Sequence, residues 1–498
     1  MKRNRFFTCA MLFSSALAGA GALMLSSCAV DGFQEESFGG DVQNTQLTSP
    51  TLEKDNFSTV TATDGSEQVK VTWKVVYGAG GYECEVQNID DPSNPVSLEK
   101  DTVDGTTFSF SKSDDTNYKV SVRTLGNSKY NNTDAESATD YPYSTLIAAT
   151  TIPSGTEISQ FIKDSLQDID TEQAFELEAG GTYTLDSEVD FKDKLVTLRG
   201  NKINHPIVTL GEEGVMRTAK GLKVKFINFD CTEATNNGIV ECSGQPYTAS
   251  ISAKNTAYIL EDPIILQECM FKNVSRCLFY TGACAWGVND FRINNCIVQL
   301  NNDGTKFSNG AVICAYSSTS SFEGAQSWNG LVKSITIKNS TIYNIKDNSK
   351  NRMIRFLTNN PSKIYSTADG SATITNCTFS KTMSKKEFAN NTPNRNDYSI
   401  TFMNNVCYDV YRLQKFIQGN NTSCSTYNVD PAYNTIWGIS ESVDATDKTR
   451  CATEEDPGFD ATAVLQPLDL SQKNGGVNFK ATGTISSTIG DPRWLSAN

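Results

Sequence analysis

The sequence predicts an all-β protein: an N-terminal β-sandwich followed by a right-handed parallel β-helix with a short capping helix at its start. Three observations carry this. Short alternating strands separated by turn clusters run from about Ser49 to Ser144. One amphipathic helical stretch follows. From Lys223 onward a six-residue pattern then recurs at solenoid spacing.

The repeat reads apolar, polar, Asn or polar, then Cys, Ser or Asn, then any residue, then apolar. Its copies are Leu266–Phe271, Ile293–Val298, Ile337–Ile342, Ile374–Phe379 and Phe402–Cys407, with a looser one at Phe226–Cys231. The fourth positions lie 40, 27, 44, 37 and 28 residues apart. Unequal spacing around a constant motif means that one corner is fixed while the loops elsewhere vary. Inward apolar residues at alternate places suit a strand, and small or amide side chains suit a corner where polar groups meet the backbone. Stacking the copies predicts an amide ladder of Asn228, Asn295, Asn339, Asn376 and Asn404. It also predicts an inward thiol stack of Cys269, Cys296 and Cys377, read as buried small hydrophobes, with disulfides as the alternative.

The sandwich region, residues 48–144, shows Val69, Val71 and Trp73 on one strand face and a second alternation over Gly81–Val86. Phe108–Phe110 and Tyr118–Val122 follow, divided by turn clusters at Gly78–Gly81, Asp90–Pro95 and Ser113–Asn117. Pro50 opening the first strand, Trp73 on the second and Tyr118-x-Val120-x-Val122-Arg123 resemble a fibronectin type III domain. Trp73 and Tyr118 are then core residues.

Residues 145–200 form the junction to the helix domain, which is taken as 145–498. Ser154 with Glu157 three residues on makes a capping box. Ile158, Phe161, Ile162, Leu166 and Ile169 share one helical face. Such a helix plugs the open apolar end of a solenoid, where core and strand edges would otherwise be exposed. The strands that follow, Gly181-Thr-Tyr-Thr-Leu185 and Val196-Thr-Leu-Arg-Gly200, resemble the beginning of pectate-lyase-like β-helices. Asp456-Pro-Gly-Phe459 and Gly490-Asp-Pro-Arg-Trp494 resemble the ends of the same folds. The last is similar to the terminal signature of an uncharacterised Bacteroidota surface-protein family, in which a fibronectin-like module precedes such a helix. That resemblance implies a setting in polysaccharide utilisation rather than a particular reaction.

Lys2, Arg3 and Arg5 precede an apolar run from Phe6 to Leu25 that ends in Leu25-Ser-Ser-Cys28. This is the plan of a signal peptide, residues 1–27. The last tetrad resembles a bacterial lipobox, which implies lipidation of Cys28. The other readings are an ordinary signal peptide or an uncleaved helix. Residues 28–47 are a polar tether. Asp31, Glu35 and Glu36 in it resemble the export signal of Bacteroidota surface lipoproteins, or serve merely as an acidic linker. The expected location is the outer membrane, lipid-anchored and facing outward.

The formal net charge is −14, and loss of residues 1–27, which carry three cations and no acid, takes it to −17. Nucleic acid is therefore not an expected partner. With a single histidine, imidazole-rich metal sites are excluded. That residue, His205, reads as a solvated turn histidine, so a Ser-His-Asp triad has no support.

A β-helix presents a long face suited to an extended polymer, and polysaccharide is the expected partner, with other glycan-uptake proteins as possible company. Trp328, in the longest insertion, is the leading sugar-stacking candidate, with Trp286 and Trp437 behind it. Arg276, Arg352, Arg355, Arg412 and Lys415 follow the repeat at a recurring place. If stacked, they form a cationic track for uronate carboxylates; the plainer reading is a set of solvated coil-edge residues.

The pectate-lyase resemblance implies a calcium site of several carboxylates and an Arg or Lys base. Here Asp290, Asp303 and Asp347 are scattered, and the Arg-x-Pro-x-x-Arg element is missing. The inverting-glycosidase set is missing as well, so paired carboxylates have no sequence support. The expectation is a non-catalytic surface glycan-binding lipoprotein with no cofactor. A lyase using Arg352 or Arg355, with Ca2+ as its only possible cofactor, and a structural or adhesive protein are the alternatives.

Overall fold

The computed structural model describes residues 45–254, 256–282, 284–302, 311–315, 330–346, 351–382, 386–393, 397–410, 413, 416, 426–428, 435–437, 453–460, 462–482 and 489–495. The chain divides into two compact units, at Ile147 and Ala148.

In the first unit, Phe57–Thr61, Glu67–Thr72 and Thr107–Ser111 make a three-stranded antiparallel sheet. A four-stranded sheet runs in the order Val96–Val103, Gly81–Asn88, Asn117–Leu125, Thr139–Ser144. Val69, Val71, Trp73, Tyr82, Val86, Phe110, Tyr118 and Val120 fill the space between them. The hydroxyl of Tyr118 accepts from the Ser113 N–H at 2.8 Å, tying the strand to the turn before it. The strand Val96–Val103 has no apolar alternation and is exposed along nearly its whole length, which is why sequence pattern did not disclose it. Its Glu99 and Asp101 stand opposite the buried Val86 and Cys84, on the core-facing side. Inward charges on one edge strand and Pro142 on the other blunt this sheet against pairing with other chains.

The second unit is a parallel β-helix of three sheets. One coil runs from Gln173–Leu177 on the first sheet to Thr182–Leu185 on the second and Glu188–Asp190 on the third, then returns to the first at Leu195–Arg199. The first sheet continues through Gly221–Lys225, Ile264–Gln267, Trp286–Asn294, Leu331–Lys338, Gly370–Thr375 and Tyr398–Met403, all parallel and in register. Leu198, Val224, Leu266, Ile293, Ile337, Ile374 and Phe402 stack inward along it.

The repeating corner lies between the first and second sheets. Glu268, Asn295, Asn339, Asn376 and Asn404 there have φ between 50° and 58°, the left-handed region that asparagine tolerates best after glycine. Each turns the chain so that the next residue points inward. Those next residues include Cys269, Cys296, Ser340, Cys377 and Asn405, all buried. The thiol stack is therefore real. The Cys296 S–H reaches the Asn294 and Leu266 carbonyls at 3.3 and 3.4 Å, and Cys377 does the same to Thr375 and Ile337 at 3.2 and 3.5 Å.

Four of the five predicted ladder members, Asn295, Asn339, Asn376 and Asn404, do occupy successive corners, and Asn376 Nδ2 donates to Asn339 Oδ1 at 3.3 Å. Asn228 does not belong to it. In that coil Phe226 takes the left-handed corner, at φ 59°, and Asn228 opens a strand in register with Met270. The loose copy of the repeat is displaced by two residues because Phe226, not an amide, makes the bend.

All described cysteines are free thiols. Burial pushes the thiols of Cys231, Cys242, Cys269 and Cys277 far up, so they are poor nucleophiles. Only Cys284 among the described cysteines is partly exposed. Native alkylation with iodoacetamide, read by peptide mass spectrometry, is expected to modify Cys284 and spare the other described cysteines until denaturant is added. Native labelling of Cys296 or Cys377 would contradict the inward stack.

The helix Ile158–Ser165 closes the N-terminal end, with Ile158 and Ile162 buried. Its N-cap is Glu157, whose carboxylate accepts from Gln160 N at 2.8 Å, not Ser154. Ser154 sits a turn earlier, where its hydroxyl accepts from Thr182 N and Gly155 turns at φ 84°. Ile169 lies beyond the helix and is exposed.

The described parts of the C-terminal segment, 457–460, 462–482 and 489–495, lie over the outer side of the second sheet. Val464, Leu468, Leu470, Val477, Phe479 and Trp494 cover Ile297 and Tyr343, with Met270, Ile207 and Tyr408 beside them. This makes a second apolar core outside the coil. Its last turn is pinned by polar groups. The Arg493 guanidinium donates to the carbonyls of Asn295, Cys296 and Asn339 at 3.0, 2.7 and 2.9 Å, joining successive corners. It also pairs with the fully buried carboxylate of Asp491 at 2.6 Å. Asp491 accepts in addition from the Thr341 hydroxyl at 2.7 Å, and Trp494 Nε1 donates to that same hydroxyl at 2.7 Å.

Candidate functional site

Each sheet has an outer side, and the three differ. The second is closed by the C-terminal strap. The third carries an in-register outward column of Asp190, Arg217, Glu241, Tyr280, Cys314, Arg355 and Asn390. In it Arg217 bridges Glu188 and Glu241, and Glu241 also accepts from Gly238 N at 2.7 Å. Burial pushes the Glu241 carboxyl up, against the opposing pull of that N–H and of Arg217. The Glu188–Arg217–Glu241 contacts make an ion-paired ladder that fixes the early coils to one another.

The first sheet offers the broad polar surface. One outward column reads Thr197, Lys223, Ile265, Arg292, Thr336, Thr373 and Thr401. Beside it runs Glu176, Arg199, Lys225, Gln267, Asn294, Lys338, Thr375 and Met403. A third column, Asp290, Ser334, Ser371 and Ser399, flanks the later coils. From Ile265 onward all three are half-buried or exposed, with Arg292 and Lys338 the most open. Parallel in-register pairing repeats each column about every 4.8 Å. Asp290 accepts from Arg292 Nε at 2.8 Å and so holds that side chain on the sheet.

One edge of this shelf is raised. The hairpin of Ser250–Ile251 and Tyr258–Leu260 meets the segment 357–369 there, joined by the Thr256 hydroxyl donating to the Lys363 carbonyl at 2.5 Å. Ile364 and Tyr365 cross the strand Trp286–Asn294 at Gly287. A Cβ at Gly287 would lie 2.7 Å from Ile364 Cγ2, so glycine is needed for that approach. Lys333 lies 5.2 Å over the Tyr365 ring and pairs with Asp369 at 3.1 Å. Hydrogen bonding from Thr367, then Lys333, holds the Asp369 carboxyl below its ordinary range. Near the base of this wall a cleft lined by Asp193, Lys220, Ser250 and Glu261 encloses about 30 Å³. That is room for a water and far below a small-molecule site. The shelf is open, and an extended ligand suits it better than a compact one.

Comparisons with known proteins leave the chemistry open. Residues 1–189 match the model of a domain of unknown function, DUF4992, and residues 181–345 match a second domain of unknown function, DUF4957. No curated protein matches the chain. Among solved structures it is similar to the catalytic domain of a GH87 α-1,3-glucanase in complex with nigerose, at 8% identity and a TM-score of 0.26, covering 80% of this chain and 86% of that one. It is also similar to pectate lyase Pel3 from Pectobacterium carotovorum, at 11% identity, TM-score 0.17 and the same 80% and 86% coverage. A third is pectate lyase PelI from Erwinia chrysanthemi in complex with tetragalacturonic acid, at 10% identity, TM-score 0.14, covering 61% and 87%. The β-helix itself rests on the strand register described above.

The residues singled out in the sequence fall in different places. Trp286 is not a surface platform. It is fully buried, 5.7 Å from the Tyr258 ring, with Nε1 donating to the Ser243 carbonyl at 3.3 Å. Strand alternation does not account for this, since Asp290 and Arg292 at the same parity face outward; the hairpin strand Tyr258–Leu260 pairs beside it and the Ser243 carbonyl takes its N–H. Trp328, Arg412, Lys415 and Cys28 lie outside the described residues, as do Asp303 and Asp347, and of Trp437 only the backbone is described.

Arg276 and Arg352 do come to one edge, where the Asn351 and Asn302 amides both donate to the Arg276 carbonyl at 3.4 and 3.1 Å. Arg352, however, is buried and paired with Glu387 at 2.9 Å, and Arg355 stands in the third-sheet column. An arginine held in a buried ion pair is poorly placed to take a proton from a polymer on the surface. Among the described residues no group of three or more His, Cys, Asp or Glu is arranged to hold a metal ion. His205 is not a solvated turn residue. Burial lowers its pKa, and its Nδ1 lies 3.2 Å from Asn228 Oδ1, because the turn folds back onto the strand that Asn228 opens.

The shelf residues Arg292 and Lys338 were not singled out in the sequence. Their signal was available: both fall at outward places of the strand that leads into the repeat, Arg292 one residue before Ile293 and Lys338 one after Ile337.

Proposed function

We propose that this chain is a lipid-anchored surface protein that binds polysaccharide along the outer side of the first β-helix sheet without cleaving it. One observation carries the reading: in-register columns rich in hydroxyl, amide and cationic side chains, with Asp290 and Met403 among them, run over the later coils of an otherwise acidic molecule. A polymer laid along the axis meets the same kinds of group at every step of about 4.8 Å. Arg292 and Lys338, the most open cations of the shelf, favour an acidic, pectin-like glycan, since guanidinium and ammonium groups recognise carboxylates. The three-plus-four sandwich with its Tyr118-to-turn bond supports a fibronectin type III-like spacer. Cys28 is the lipid site, which puts the protein at the outer membrane facing outward, in a Bacteroidota glycan-utilisation system beside uptake proteins.

Calorimetric titration with polygalacturonate and with a neutral glucan tests this. Micromolar binding of the uronate polymer is expected, weakened at least tenfold in Arg292→Ala/Lys338→Ala, about 1.4 kcal/mol or more. No unsaturated product should form with added calcium. Product formation would assign the chain to the lyases, and silence across a glycan array would leave a structural or adhesive role.

A further inference from the structure

Tyr247 stands where a folded chain gains little from an aromatic side chain. It is the second residue of the turn Pro246–Ala249, closed by the Ala249 N–H donating to the Pro246 carbonyl at 2.8 Å. Its φ is 47°, in the left-handed region, where a bulky residue is strained and glycine is the usual occupant. Its side chain is 44% exposed, more than any other aromatic side chain described in the second unit. A ring that neither suits its backbone nor fills a core adds little to stability, and such outliers cluster at functional sites.

The ring is held in place all the same. Its hydroxyl donates to Asp190 Oδ2 at 3.2 Å, and Asp190 is itself fixed by the Ser243 hydroxyl at 2.6 Å and the Lys192 N–H at 2.8 Å. Partial burial, then the Asp190 charge, pushes the phenol up to about 12, so it stays the donor in that bond. The next residue, Thr248, donates its hydroxyl to Asp193 at 2.9 Å and lines the water-sized cleft at the base of the raised shelf edge. Gln245, Thr248 and Ser250 are exposed around the turn. A fixed aromatic side chain beside amide and hydroxyl groups can stack on the C–H face of a pyranose and bond its hydroxyls.

Charge decides which sugar. The carboxylates acting on the phenol are Asp190, Glu188 and Asp193. Of the nearby cations, Arg217 is taken up by Glu188 and Glu241 and Lys194 by Asp168, with exposed Lys192 the other. A uronate brought to this edge meets like charge, whereas the hydroxyls of an uncharged sugar donate to carboxylate oxygens.

We propose that Tyr247 is a stacking subsite for a neutral pyranose, at the corner between the third and first sheets beside the shelf. The subsite rests on the polysaccharide reading and extends it: the shelf cations take acidic units of a glycan and Tyr247 takes a neutral one.

The test uses the full chain. Neutral tetrasaccharides of β-1,4-galactan, β-1,4-glucan and β-1,4-mannan are titrated by calorimetry and by saturation-transfer NMR, with thermal unfolding on the same preparations. Wild type is expected to bind at least one of them saturably. Tyr247→Gly should weaken that binding at least tenfold without lowering the unfolding midpoint, because glycine suits the turn. Tyr247→Phe keeps the ring and should stay within threefold of wild type. The shelf double variant Arg292→Ala/Lys338→Ala should leave neutral binding unchanged, so the subsite and the shelf succeed or fail separately, whether or not polygalacturonate binds. No binding of any neutral tetrasaccharide overturns the subsite, as does binding unaltered in Tyr247→Gly. A midpoint lowered by several degrees in Tyr247→Gly also overturns it, since the ring is then a structural clamp.

Discussion

Replacing Arg493 with glutamine is expected to destabilise the β-helix by about 3–5 kcal/mol, the range for removing one partner of a buried ion pair. The reason is local and specific. Arg493 is what makes the buried Asp491 carboxylate tolerable, and it also satisfies carbonyls at successive corners. Denaturant unfolding followed by circular dichroism checks this, with the midpoint as the readout.

The double variant Asp491→Asn/Arg493→Gln should recover part of the loss, because the lone charge is then gone. The pH dependence follows from the same carboxyl. Burial outweighs the pull of Arg493 and raises the Asp491 pKa above its ordinary 3.8. A carboxyl whose folded pKa is raised favours the fold most below the unfolded value, and that contribution is lost as pH rises through the folded pKa. Without Arg493 the folded pKa rises further. The deficit of Arg493→Gln relative to wild type should therefore be largest near neutrality and shrink on acidification towards about pH 4. A deficit independent of pH would mean that Asp491 is not the group left exposed to the loss.

Trp286→Ala is expected to lower stability by about 3–5 kcal/mol, as for an aromatic removed from a packed interior. A surface sugar platform would give a different result, with stability unchanged and affinity reduced. The structure decides between them: Trp286 has no exposed surface, packs with Tyr258 and bonds the Ser243 carbonyl. Thermal unfolding and glycan titration on the same preparation separate the two outcomes. An unchanged midpoint would place the indole outside the core.

Much of the fold was legible in the residues. The motif around Cys269, Cys296 and Cys377 located the corners, since an amide tolerates the left-handed bend and a small side chain fits the inward place after it. Where the bend fell on Phe226, the pattern slipped by two residues and put Asn228 in the wrong ladder. The strand Val96–Val103 was hidden because an edge strand exposed on both sides has no alternation to read. Of the cationic track, Arg276, Arg352 and Arg355 reached the third-sheet side, but sequence spacing did not show that Arg352 would meet Glu387 in the interior.

The amino-acid sequence by itself determined the two-part all-β plan, the axis of the solenoid and the repeating corner, because these follow from local periodicity and from the conformations each side chain permits. Only the tertiary structure decided which outer side stays open, that the C-terminal strap closes the second sheet, that Trp286 is core and that Tyr247 is exposed. These depend on insertions of differing length meeting across coils, a contact order that no short stretch of sequence encodes.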